Sequence, residues 1–87
     1  MKTRILNYYT DPGHGWLAVD RADLDALEIT RRISRYSYQQ NEKVYLEEDL
    51  DMSIFMQAAD DAGWQVKMRY QHTNTESRIR ALPHFQP

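Results

Sequence analysis

At 87 residues without a single cysteine, the chain can form no disulfide, thiolate nucleophile or cysteine-bound zinc site. Its net charge of -2 gives no generic pull toward phosphate backbones, and no stretch nears the roughly 18–20 apolar residues of a membrane helix. With 41% apolar and 28% charged residues, the composition is that of one folded domain over residues 1–87. The start, Met1 to Asn7, is basic but has no apolar run of leader length, so the expected location is cytoplasmic.

Arg4 to Tyr9 is rich in β-formers and reads as a first strand. It stops at Asp11-Pro12-Gly13-His14-Gly15, where Pro-Gly signals a turn and two glycines allow positive φ. Trp16 to Val19 is apolar again, either a short strand or a segment tucked under the next helix. Asp20 is placed to cap a short helix over Arg21 to Glu28, with Leu24 and Leu27 on one face. Ile33 to Gln39 then takes a strand-like period that puts Tyr36 and Tyr38 on one side and Arg35 and Ser37 on the other. A polar turn centred on Gln40-Asn41 leads into a returning strand, Lys43 to Glu47.

The clearest helix starts at a cap on Asp49 or Asp51 and runs to Ala62. Its apolar stripe is Ile54, Ala58 and Ala62, broadened by Phe55, and Gly63 closes it with a left-handed backbone. Trp64, Val66, Met68 and Tyr70 then alternate with polar residues, the best strand signal in the chain. Residues 72–87 read as a polar loop and a C-terminal arm, with Ile79, Leu82 and Phe85 at spacing three and Pro83 barring a regular helix. The order β-α-β-β-α-β is the split βαβ, or ferredoxin-like, pattern of α+β proteins. It predicts an antiparallel four-stranded sheet with two helices on one face and the other face open.

Three constellations carry chemistry. Asp11 and His14 share the glycine-rich turn, where a carboxylate accepting from the imidazole makes a general base; with Glu48 as helper this is the pattern of a small hydrolase. The plainer account is a tight turn in which Asp11 bonds its own backbone. Glu47, Glu48, Asp49 and Asp51 crowd a strand-to-helix junction. Their spacing is no EF-hand loop, so no metal and no cofactor is expected, and one of them serves as a cap. Arg31, Arg32 and Arg35, joined by Arg78 and Arg80, are the basic set that a nucleic-acid-binding module would use, though the glycine-aromatic signature of the common RNA-binding sheet is missing.

The segments Tyr8-Tyr9-Thr10-Asp11-Pro12-Gly13-His14-Gly15-Trp16, Ile33-Ser34-Arg35-Tyr36-Ser37-Tyr38, Tyr45-Leu46-Glu47-Glu48-Asp49 and Ser77-Arg78-Ile79-Arg80 resemble an uncharacterised family of small proteins encoded by phages, prophages and plasmids. The resemblance implies no activity or ligand for any residue. It implies a setting in which small proteins bind and block a host or defence component. The expectation is therefore a non-enzymatic protein-binding module acting as an inhibitor. Its contact surface would be Tyr36, Tyr38, Glu47, Glu48 and Asp49, and its partner a host protein. A second copy of the chain is an alternative partner, nucleic acid ranks below protein, and a membrane is not expected.

Overall fold

The structure, a computed structural model, describes residues 2–87. Its elements are strands β1 (Thr3–Thr10) and β2 (Gly15–Asp20), helix α1 (Arg21–Ala26), strands β3 (Tyr38–Gln40) and β4 (Lys43–Glu47), helix α2 (Asp51–Asp61) and strand β5 (Gln65–His72). Single 3₁₀ turns lie at Thr30–Arg32 and Arg78–Ala81. The α+β class holds, but the sheet has five strands in the order β3-β4-β2-β1-β5, and its β1–β5 pair is parallel. The expected four-stranded antiparallel sheet is corrected at one point. Trp16 to Val19 is a full central strand, folded back on β1 by the Asp11 turn, so β1 is wedged between β2 and β5. The split βαβ logic survives. The β2-α1-β3 unit leaves room for β4, and the β4-α2-β5 unit spans both β2 and β1.

Pairing places Leu6, Leu17, Val19, Val44 and Leu46 on one side of the sheet. There they form a single core with Leu24 of α1 and with Phe55 and Ala59 of α2, so both helices cover the same face. The α2 stripe is turned by one residue from the expected one, with Phe55 and Ala59 buried, Ile54 and Ala58 half-buried and Ala62 exposed. Trp64, Val66 and Met68 pack against this core as the alternation predicts. Tyr70 is exposed and meets only the edge of the Tyr8 ring, at 5.8 Å.

The end of α2 follows from the sequence, whereas α1 starts at Arg21 as expected but ends at Ala26, two residues short of Glu28. At α2, Gly63 has φ 77°, with Gly63 N–H donating to Asp60 and Trp64 N–H to Ala59. The same double bond closes α1, Glu28 N–H to Asp25 and Ile29 N–H to Leu24, but here Glu28 takes the left-handed position at φ 59°. At the starts, the expected caps are corrected. Asp20 sits at the N-cap of α1 without capping it, because its carboxylate pairs with Lys43 at 2.7 Å. Neither Asp49 nor Asp51 caps α2; Glu47 reaches forward instead, accepting from the N–H groups of Asp49, Leu50 and Asp51 at 2.8, 2.7 and 2.7 Å.

Two further expectations change. Ile33 to Ser37 is a loop and not a strand, because Ser34 and Ser37 turn inward to a fully buried Asp51. Asp51 accepts from Ser34 N–H (3.0 Å), Ser34 Oγ (2.7 Å) and Ser37 Oγ (2.6 Å), and Ser37 Oγ accepts from Glu47 N–H. The second concerns the sheet's outer face, which is open only over β5 and the adjoining part of β1, where Ile5, Lys67 and Arg69 are exposed. The C-terminal arm crosses it as a strap, burying Ile79, and then runs along β3 with a Tyr38–His84 bridge. Pro83 carbonyl accepts from Gln39 N–H, and Phe85 N–H donates to Ser37 carbonyl. Phe85 thereby enters the core on the helical side with 1% of its surface exposed. Central β2, covered on both faces, is buried from Gly15 to Val19.

Candidate functional site

The Asp11 turn sets the site. The Asp11 side chain is fully enclosed and accepts five hydrogen bonds: from Gly13 and His14 N–H at 3.0 and 2.9 Å, from Ser77 N–H at 2.9 Å, and from Arg80 Nε and Nη2 at 2.7 and 2.9 Å. The bidentate Arg80 guanidinium, aided by the three N–H groups, holds this carboxyl far below the usual carboxylate range. Asp11 therefore clamps the strap to the end of the β1–β2 hairpin. Glycine at position 15 gives space and not φ: any Cβ there would force the Tyr8 ring to shift. A Cβ there would stand 2.2 Å from the Tyr8 hydroxyl oxygen, and Gly63 is the one glycine with positive φ.

With the strap fixed, Arg80 lies over the Trp16 ring at 5.6 Å. Trp16 meets Tyr38 edge-on at 6.4 Å, and Tyr38 stacks on His84 at 4.9 Å. The Trp16 and Tyr38 rings, with Arg80, form the floor of a cleft of about 390 Å³ between the strap and the β4–α2 junction. Tyr36 and Leu50 stand at its mouth, 75% and 51% exposed, with His14, Glu47 and Asp49 completing the lining.

The sequence-predicted residues fall unevenly around this cleft. Tyr36, Tyr38, Glu47 and Asp49 line it, although Glu47 is consumed as the cap of α2. Glu48 is outside the lining; it accepts from the Tyr8 hydroxyl at 3.2 Å and stands 3.9 Å from His14 Nδ1. Burial, then the Glu48 charge, raises the Tyr8 phenol's pKa. Asp49 is the carboxylate of the three whose oxygens meet no hydrogen-bond donor or cation among the described residues. The Asp11–His14 dyad does not form, because Asp11 takes the backbone N–H of His14 and leaves its imidazole aside.

The basic set is dispersed. Arg31 and Arg32 lie exposed in the 3₁₀ turn after α1, and Arg32 borders a hollow beside α2. Arg78 lies across the sheet, by a wider hollow of about 620 Å³ under the strap with Tyr9 and Tyr45. Arg80 is committed to Asp11, and Arg35 is exposed, its carbonyl accepting from His84 Nδ1 at 2.6 Å. Sequence reasoning missed Trp16 and Leu50 as lining residues. Trp16 carried a signal, a large ring directly after the functional-looking turn; Leu50 carried none. Among the described residues no cluster suited to a metal ion occurs, and no helix is long and apolar enough to cross a membrane.

Comparison of the chain with protein-family models, curated proteins and solved structures finds no match.

Proposed function

We propose that the protein is a non-catalytic binding module that holds a segment of another protein in the aromatic cleft. The observation that carries this reading is the pair Tyr36 and Leu50, large apolar side chains presented to solvent over a floor of Trp16 and Tyr38 that Asp11 and Arg80 make rigid. A tyrosine at the mouth of a preformed cleft is a typical binding anchor, since it adds contact area for little lost conformational freedom. Glu47 and the Asp11 carboxylate are both saturated by internal donors, which suits scaffold roles better than acid–base work. In the setting the resemblance implies, the partner is a host protein and occupancy of its surface is the inhibitory act.

The test is retention of partners from cell extract by the immobilised protein, against a Tyr36→Ala/Leu50→Ser variant with an unchanged thermal melt. Both positions are exposed, so the fold is expected to change by no more than about 0.5 kcal/mol. A partner held by the wild type, lost by the variant, and rebinding as a purified pair supports the reading. Undiminished binding of that pair by the variant overturns it.

A further inference from the structure

We infer that the cleft takes an arginine side chain of the partner, seated between the Tyr36 and Tyr38 rings and the Asp49 carboxylate. The inference rests on the binding-module reading and adds the chemistry of the anchor. It starts from charge. Glu47 and Asp49 line one wall of the cleft. Glu47 is taken by backbone N–H groups, and Asp49 has no donor or cation of its own among the described residues. The cations that face this region are already answered. Arg80 gives Nε and Nη2 to the buried Asp11, and His14 stands beside Glu48. Arg35 adjoins Tyr36 in sequence but is not among the lining residues. The positive end of α2 is likewise occupied, since three of its N–H groups go to Glu47. What remains is one exposed carboxylate without a partner among the described residues, lining the cleft together with two tyrosine rings and Leu50.

That combination selects a cation with a flat face. A guanidinium stacks on aromatic rings and pairs with a carboxylate through parallel N–H groups, whereas an ammonium is a hydrated point charge. The protein uses the same chemistry internally in the cleft itself, where Arg80 lies over Trp16 at 5.6 Å and pairs with the Asp11 carboxylate. An acidic anchor meets the opposite conditions, because it would have to lie against Asp49 and Glu47.

The experiment titrates the isotope-labelled full chain with a nine-residue Gly/Ser peptide carrying one central arginine. Parallel titrations use the same peptide with citrulline, which keeps the shape without the charge, and with glutamate. The reporters are the Trp16 indole N–H and the backbone amides of Tyr38 and Asp49. The arginine peptide is expected to bind at least fivefold tighter than citrulline, and Asp49→Asn to shrink that ratio below twofold in a spectrum that is otherwise native. Equal binding of arginine and citrulline, preference for glutamate, shifts located away from the cleft, or no binding at millimolar peptide each overturns the inference. If any of these occurs while Tyr36→Ala/Leu50→Ser still releases the purified partner, the module reading stands and only the arginine anchor falls.

Discussion

Phe85, third from the end of the chain, is expected to be among the most costly residues to truncate. Its ring is 99% removed from solvent in the core cluster, and the Arg21 guanidinium covers it at 4.9 Å. Burying a side chain of this size is worth about 1.5–3 kcal/mol in transfer alone. Adding the cavity that alanine leaves brings the loss for Phe85→Ala to about 3–5 kcal/mol. A domain of 87 residues holds only about 4–13 kcal/mol in total, from roughly 0.05–0.15 kcal/mol per residue. One substitution near the terminus therefore removes a large fraction of the stability. In urea, with a slope of about 1–1.5 kcal/mol/M, the midpoint drops by about 2 M or more. Phe85→Leu keeps most of the volume and costs about 1–1.5 kcal/mol, while deletion of the exposed Pro87 leaves the midpoint unchanged. A Phe85→Ala midpoint within about 0.5 M of wild type would refute the claim that the arm is part of the core.

Three other outcomes follow from named contacts. Asp51→Ala strands the Ser34 and Ser37 hydroxyls beside buried backbone and is expected to cost about 2–4 kcal/mol by the same urea assay, with accelerated amide exchange at Ser34 reporting the freed loop. Glu28→Gly relieves a left-handed non-glycine residue at φ 59° and should raise stability by about 0.5–1 kcal/mol; a lower melting temperature would contradict the cap assignment. The depressed Asp11 carboxyl gives a pH signature of definite sign. Its ion pair contributes fully above the unfolded value near pH 4 and is lost as the pH falls toward the lower folded value. Melting temperatures from pH 5 to pH 2 should therefore fall more steeply for wild type than for Arg80→Met, and parallel curves would dismiss the clamp.

How much of this was legible in the letters depends on how local the cause is. The α2–Gly63–β5 unit was legible in outline because a helical period, a left-handed glycine and an alternation are properties of neighbouring residues. Its details differ: the buried stripe runs through Phe55 and Ala59 and leaves Ala62 exposed, and Tyr70 is exposed. The Gln40-Asn41 turn and the β4 strand were legible for the same reason. The failures come where a side chain bonds far along the chain. Ser37 leaves its strand-like pattern to reach Asp51, and Glu47 replaces the nearer aspartates as cap because Asp51 is claimed by the serines. Of the cleft, Tyr36, Tyr38 and Asp49 could be nominated from their residue types. Trp16 had only its place after the Asp11 turn to suggest it and Leu50 nothing, since one comes from β2 and the other from the junction before α2.

The sequence by itself determined the α+β class, the split βαβ order of the later elements, the place where α2 ends, and the exclusion of thiol chemistry. Tertiary structure alone decided that β1 lies parallel to β5, that the tail becomes a strap over the outer face, and that Asp11 answers Arg80 and not the imidazole of His14. The division has one physical origin. Helical and strand periods and turn residues act over a few positions, whereas Asp11 and Arg80 stand 69 positions apart. Their pairing depends on the whole sheet being in place, since only then does burial leave a carboxylate in need of a guanidinium.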